Sequence, residues 1–140
     1  MKTFYVGVKG VIVQDGKVLI LKKAGEAGMD FWEVPGGRID DDETIEQALL
    51  RELSEELANI QNIEIHELLD AYRVHRDLEP DISLVLVFYR VTATFKGEPE
   101  ISNEHSEYKW ATQDEALELL QDSTKQALKR TISTNSATIL

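Results

Sequence analysis

The chain has 140 residues, 42% of them hydrophobic, which is enough for a single domain (1–140) with a core of its own. With 26 acidic against 15 basic side chains, its formal net charge is −11. That field repels nucleic-acid polymers and anionic membrane surfaces, and no Lys/Arg cluster offsets it. The lack of cysteine excludes a disulfide framework and a cysteine nucleophile, and fits a reducing, cytoplasmic setting.

The first residues, MKTFYVGVKGVIV, alternate without a small-residue cleavage site and read as a strand, not a signal peptide. No apolar run approaches the roughly 18 residues that span a bilayer. Residues 3–13 and 17–22 predict a hairpin closed at Asp15-Gly16, a two-residue turn signal. Lys22 and Lys23 end it; they either reach substrate phosphates or sit as surface lysines. Residues 24–30 carry no periodicity and read as a mobile loop. Phe31 to Pro35 then leads into Gly36-Gly37, where the missing side chains let backbone approach a ligand.

The stretch GGRIDDDETIEQALLRELSEELAN (36–59) dominates the chain. Thr44 and Gln47 fit a capping box and place a helix start there. At about 100° per residue, Glu52, Glu55 and Glu56 share one face, beside an arc of Leu49, Leu50, Leu53 and Leu57 for the core. Three carboxylates on one face repel each other, and a hard divalent cation, Mg2+ or Mn2+, would offset the repulsion. A solvated acidic surface is the plainer alternative for E-x-x-E-E by itself.

Beyond that helix, residues 63–76 are extended and a polar turn covers 77–81. Residues 82–95 are β-branched and aromatic throughout, a strand buried on both faces at 84–88. Lys96 to Pro99 closes it, and a flexible segment, SNEHSEYKW, ends at Trp110. Thr112 with Glu115 opens a second helix over roughly 113–121, with a further helical stretch at 124–131. Residues 132–140 have little to hold them. A mixed sheet covered by a central and a C-terminal helix makes the fold α+β.

The 36–59 stretch resembles the signature of the Nudix hydrolases. Gly37, Glu43, Arg51, Glu52, Leu53, Glu55 and Glu56 match it, whereas Ala58 stands where the family has Gly and Asn59 where it has an aliphatic residue. The departure reads as a left-handed cap moved to Asn59, with Ile60 taking the aliphatic role. The resemblance implies a Nudix-type α/β/α sandwich. It also implies metal ligation by Glu52, Glu56 and the Gly36 carbonyl, with Glu55 close or acting through water. Arg51 would pair with Glu43 and orient Glu52, Gly37 would serve backbone conformation, and Lys23, Phe31, Gly37 and Arg38 would meet substrate.

The family differs in its general base. Glu52 is one candidate and a later glutamate the other; Glu104 suits that role, with Glu98, Glu100 and Glu107 as rivals. His66, His75 and His105 lack metal-ligand spacing and read as structural or surface residues. Phe31, Trp32, Tyr72, Tyr89 and Trp110 could stack on a base, though aromatics in strands usually pack the core.

The implied activity is Mg2+-dependent hydrolysis of a phosphoanhydride in a nucleoside diphosphate linked to X. The chain's small size favours a nucleoside triphosphate pyrophosphohydrolase that releases a monophosphate and pyrophosphate, with oxidised nucleotides among the candidate substrates. A nucleotide-sugar, ADP-ribose or dinucleoside polyphosphate substrate stays open. Val74 and His75 stand where ADP-ribose relatives place a proline, and Arg76 where diadenosine polyphosphate relatives place a tyrosine. A non-catalytic nucleotide-binding module is the alternative of another class, disfavoured by the full set of box glutamates. Relatives often pair, so a homodimer is the assembly to test.

Overall fold

Asp15 and Gly16 both take positive φ, 52° and 76°, the turn geometry that matches strand twist. They join β1 (Thr3–Gln14) to β2 (Lys17–Lys23) in the computed structural model, which describes residues 1–25 and 30–139, the side chains of residues 75–77 and 132–139 excepted. The expected hairpin forms, yet only Val13 with Val18 and Gln14 with Lys17 pair across it. Beyond those pairs the strands part. β1 runs parallel to β6 (Ile82–Phe95) from Thr3 to Ile12, while β2 pairs with β3 (Phe31–Glu33) and β7 (His105–Ala111). β4 (Gly36–Arg38) fills the opening along β1, antiparallel to residues 7–9. β5 (Ile60–Glu79) closes the far edge, giving the order β3-β2-β1-β6-β5.

Side chains alternate across these strands, so each face collects its own apolar set. Val8, Ile12, Leu19, Leu21 and Val91 pack against Ala48, Leu49, Leu53 and Leu57 at α1 (Ile45–Glu56). On the other face, Val11, Val18, Ile20 and Phe88 meet Ala116, Leu120, Ala127 and Leu128. Those last residues belong to, or directly follow, α2 (Gln113–Leu119) and α3 (Asp122–Ile139). The result is the expected α/β/α sandwich around a mixed sheet. Each fully buried Leu or Ile contributes about 1.5–3 kcal/mol, so these two clusters hold the layers together. Among the described residues, no helix is long and apolar enough to cross a membrane.

Both capping boxes form as the sequence indicates, Thr44 with Gln47 and Thr112 with Glu115. Other expectations need correction. Leu50 is 40% exposed, because the buried arc of α1 runs through Ala48, Leu49, Leu53 and Glu56 and leaves Leu50 outside it. Leu84 to Val87 are only half-buried, since Leu84 and Leu86 line an open cleft instead of a closed core. The β5–β6 turn is shorter than 77–81: strand pairing reaches Glu79, and Asp81 turns the chain at φ 65°. The segment before Trp110 is strand from His105 onward. The loop expected over 24–30 falls largely on residues 26–29, outside the described residues. The backbone of α3 runs on to Ile139, while the side chains of 132–140, whose hold was in question, also lie outside them.

The end of α1 differs most. Leu57 leaves the helix in extended geometry (φ −130°, ψ 91°), and Asn59 is not left-handed. The terminal backbone groups are satisfied from the 100–102 segment: Ser102 N–H donates to Glu56 O and Ala58 N–H to Glu100 O, 3.0 Å each. No cap glycine is required, which accounts for Ala58 at the family's Gly position. Ile60 does pack against the α1-side core. Asn59 serves as a clamp: its Nδ2 donates to the carbonyls of Lys96 (3.2 Å) and Glu98 (2.7 Å), and its Oδ1 accepts from Glu100 N–H (2.9 Å).

Asn59→Ala should therefore lower stability by about 1–2 kcal/mol, a drop of a few degrees in thermal melting followed by circular dichroism. An unchanged melting point would show that the clamp is ornamental.

Candidate active site

β4 carries the two glycines into contact with α1. At Gly36 (φ 143°) a Cβ would stand 2.1 Å from the Val8 carbonyl oxygen, so no other residue fits between the strands. The Gly36 N–H donates to Glu56 Oε2 at 3.0 Å, and this contact seats the end of α1 on the sheet. At Gly37 a Cβ would lie 2.5 Å from the Glu52 carboxyl carbon; the bare backbone is what lets that carboxylate approach.

Arg51 organises the charges along the helix. Its Nε and Nη2 grip Glu43 at 2.6 and 2.8 Å, a bidentate fork. Nη1 donates to Glu52 Oε1 at 3.0 Å and more weakly to Glu55 at 3.4 Å, and Nη2 also reaches the Arg38 carbonyl at 3.2 Å. The fork holds the Glu43 carboxyl down at about 2 and raises the guanidinium above its usual range.

Between β4, α1 and β6 lies a cleft of about 320 Å³. Glu52, Glu56 and Glu104 line it, with Lys9, Lys23 and Arg38 on its walls and Leu84 and Leu86 as apolar floor. Burial pushes the Glu56 carboxyl up to about 7, against the opposing pull of the Gly36 N–H and the Lys9 ammonium. Burial also raises Glu52, against Arg51. At Glu33 burial acts in the same sense but loses: the hydrogen bond with His105 and the nearby Lys9 bring it to about 2.

Glu52, Glu56, Glu104, Gly36, Gly37, Lys23 and Arg38 thus come together in one place. Arg38 also lays its guanidinium over the Tyr5 ring, 4.7 Å from the centroid. Other named residues stand apart. Glu55 projects outward, its side chain 59% exposed beside Arg51. Phe31 is half-buried on β3, opposite Lys23 in register but not in the cleft lining. Lys22 pairs with Glu107 at 3.1 Å. Glu98 accepts from the Tyr108 hydroxyl, so Glu104 is the one of the four later glutamates that lines the cleft. Trp32 and Tyr72 pack on the α3-side cluster, and Tyr89 and Trp110 on the α1 side.

Sequence reasoning passed over Lys9 and Glu33 and gave His105 no place in the site. Lys9 Nζ bonds Glu33 Oε1 (3.1 Å) and the Val34 carbonyl (3.2 Å); His105 Nε2 lies 2.8 Å from Glu33 Oε2. A lysine inside an otherwise apolar strand was the one available signal. His105, expected to be a structural or surface residue, is buried and bonded to Glu33, and it stands close to Glu56 and Glu104. His66, by contrast, bonds the Thr92 hydroxyl. The donor set fits a divalent cation: ligand atoms of Glu56, Glu104 and His105 lie within 4.8 Å of one another, and His105 Nδ1 is buried without a partner among the described residues.

Residues 3–132 match the family model described as NUDIX domain. The chain is 45% identical over 62 residues to an 8-oxo-dGTP diphosphatase of Proteus vulgaris, a match covering 44% of this chain and about half (51%) of that protein. To a CTP pyrophosphohydrolase of Escherichia coli (strain K12) it is 29% identical over 112 residues, 79% of this chain and 78% of that one. The crystal structure of a MutT NUDIX hydrolase from Burkholderia pseudomallei superposes with a TM-score of 0.71 at 32% identity, covering 92% of this chain and 98% of that one.

Two outcomes follow from the geometry. The folded, metal-free protein keeps a proton on Glu56 up to about pH 7, whereas the unfolded chain releases it near 4.5. Stability should then fall as pH rises through that window, by about 3 kcal/mol in melts of chelated protein. Glu52 adds to this fall, and Glu33 acts only below the window. Glu56→Gln should flatten the slope. Gly37→Ala, whose backbone needs no positive φ, should fold normally yet displace Glu52, read as a shift of the Glu52 carboxyl carbon resonance in NMR spectra of labelled protein.

Proposed function

The chain belongs to the Nudix hydrolase family, and from that membership we propose that it hydrolyses a nucleoside triphosphate to the monophosphate and pyrophosphate with Mg2+ or Mn2+. One observation carries this reading: Glu52, Glu56 and Glu104 converge in a cleft whose walls bear Lys23 and Arg38. Carboxylates suit a hard cation and the lysine and arginine suit phosphate oxygens, so the cleft matches both halves of a metal–nucleotide complex. Relatives named as a CTP pyrophosphohydrolase and an 8-oxo-dGTP diphosphatase support a triphosphate.

In this reading Glu56, Glu52 and Glu104 hold the cation, with the Gly36 carbonyl beside them. A bound divalent cation offsets charge on the phosphoryl oxygens and lowers the pKa of a coordinated water. Lys23 and Arg38 hold the phosphate chain in line, and Leu84 and Leu86 give the base or sugar an apolar surface. Water attacks one phosphorus of the anhydride and the bridging oxygen leaves on pyrophosphate. Glu52 takes the proton from that water; its raised affinity for protons and fixed contact with Arg51 suit it to the task better than the exposed Glu104. Arg51 and Glu43 act as positioning residues that keep Glu52 in place.

The test is pyrophosphate release from a panel of nucleoside triphosphates with Mg2+. Glu56→Gln and Glu52→Gln should each cost about a thousandfold in kcat while the fold survives, and Glu104→Gln should cost less, about tenfold to a hundredfold. Ordinary turnover in Glu56→Gln would refute the assignment.

A further inference from the structure

His105 opens β7, its side chain wholly buried, at the point where the register against β2 shifts: Lys22 faces Glu107, and the next partner, Lys23, faces His105. Ser106 is the extra residue of that bulge, and bulges beside sites re-aim the neighbouring side chain. The ring is held from one side only. Nε2 lies 2.8 Å from Glu33 Oε2, and Glu33 Oε1 is taken by Lys9 Nζ at 3.1 Å. A carboxylate engaged by an ammonium is an acceptor, so Nε2 carries the hydrogen and Nδ1 the lone pair.

That lone pair is buried and has no partner among the described residues. One ligand atom from each of Glu56, Glu104 and His105 lies within 4.8 Å of the others. With Glu56 ionised, two carboxylates and an unprotonated ring nitrogen are all acceptors, and no hydrogen bond among them relieves the contact. A cation does relieve it. Carboxylate, then histidine, then cation is also the arrangement in which a ligating imidazole gives its other N–H to an acidic side chain.

We propose that His105 is a nitrogen ligand, through Nδ1, to the divalent cation held by Glu56 and Glu104, with Glu33 and Lys9 as the pair that orients the ring. The inference rests on the metal-dependent reading of the same cleft. A mixed oxygen–nitrogen set favours Mn2+ or Co2+ over Mg2+, which takes oxygen donors and keeps its waters. His105 thereby sets the cation preference of the site.

Pulsed electron paramagnetic resonance of the full chain loaded with Mn2+ alone tests this directly. The wild type should show a directly coupled 14N nucleus, which becomes 15N when histidine is 15N-labelled. The variant with His66 and His75 both replaced by Gln leaves His105 the sole histidine and should keep the coupling. His105→Gln should lose it, weaken Mn2+ binding about tenfold or more, and narrow the preference for Mn2+ over Mg2+. Glu33→Gln should keep the nitrogen but shift its coupling, which a merely structural role for Glu33 would not do. Mn2+ bound with no nitrogen coupling in the wild type would overturn the role of His105 and leave the hydrolase reading intact. No Mn2+ binding at all would overturn both.

Discussion

A buried carboxylate at the last turn of α1 accepts the backbone N–H of Gly36, and the layout of the cleft follows from that bond. Through it Glu56 joins helix to β4, and β4 is itself pinned to β1 because no side chain fits at Gly36. The helix therefore cannot slide or rotate without exposing a desolvated acid. Glu52, one turn earlier, is brought against Gly37 as a consequence. A single hydrogen bond contributes only about 1 kcal/mol net, but breaking this one strands a buried polar group, which costs more.

The site is acidic without being unstable because its charges are divided between two cationic hubs. Arg51 gathers Glu43, Glu52 and Glu55 on the outer side. Lys9 gathers Glu33 on the inner side, and Glu33 in turn holds His105. What neither hub bonds, among the described residues, is the group of Glu56, the exposed Glu104 and Nδ1 of His105. Those are the atoms to which the proposed cation is assigned. The charge balance of the site is thus local, achieved pair by pair.

The same division bears on the substrate. Lys23 and Arg38 line the cleft, whereas Lys22, its neighbour in sequence, is turned to Glu107 on the other face of β2. Strand alternation decides which of two adjacent lysines can serve a phosphate. Leu84 and Leu86 show the converse case: residues with every mark of a buried strand are left half-open because they line the cleft beside β4.

The sequence by itself determined whatever short-range geometry dictates. The Asp15-Gly16 turn, both capping boxes, the start of α1 and the common side of Glu52 and Glu56 all depend on residues within about four positions of one another. The two-layered core was legible for the same reason, as periodicity along each strand and helix. Tertiary structure alone decided the rest. Glu55 and Glu56 are adjacent and alike, yet one is exposed and the other buried, because β4 covers only one of them. Asn59 is a clamp and not a cap because the 96–102 segment, some 40 residues on, supplies the partners. His105 meets Glu33 across 72 positions of chain. A local pattern carries no information about a contact of that range; only the folding of β7 beside β2 brings the two together.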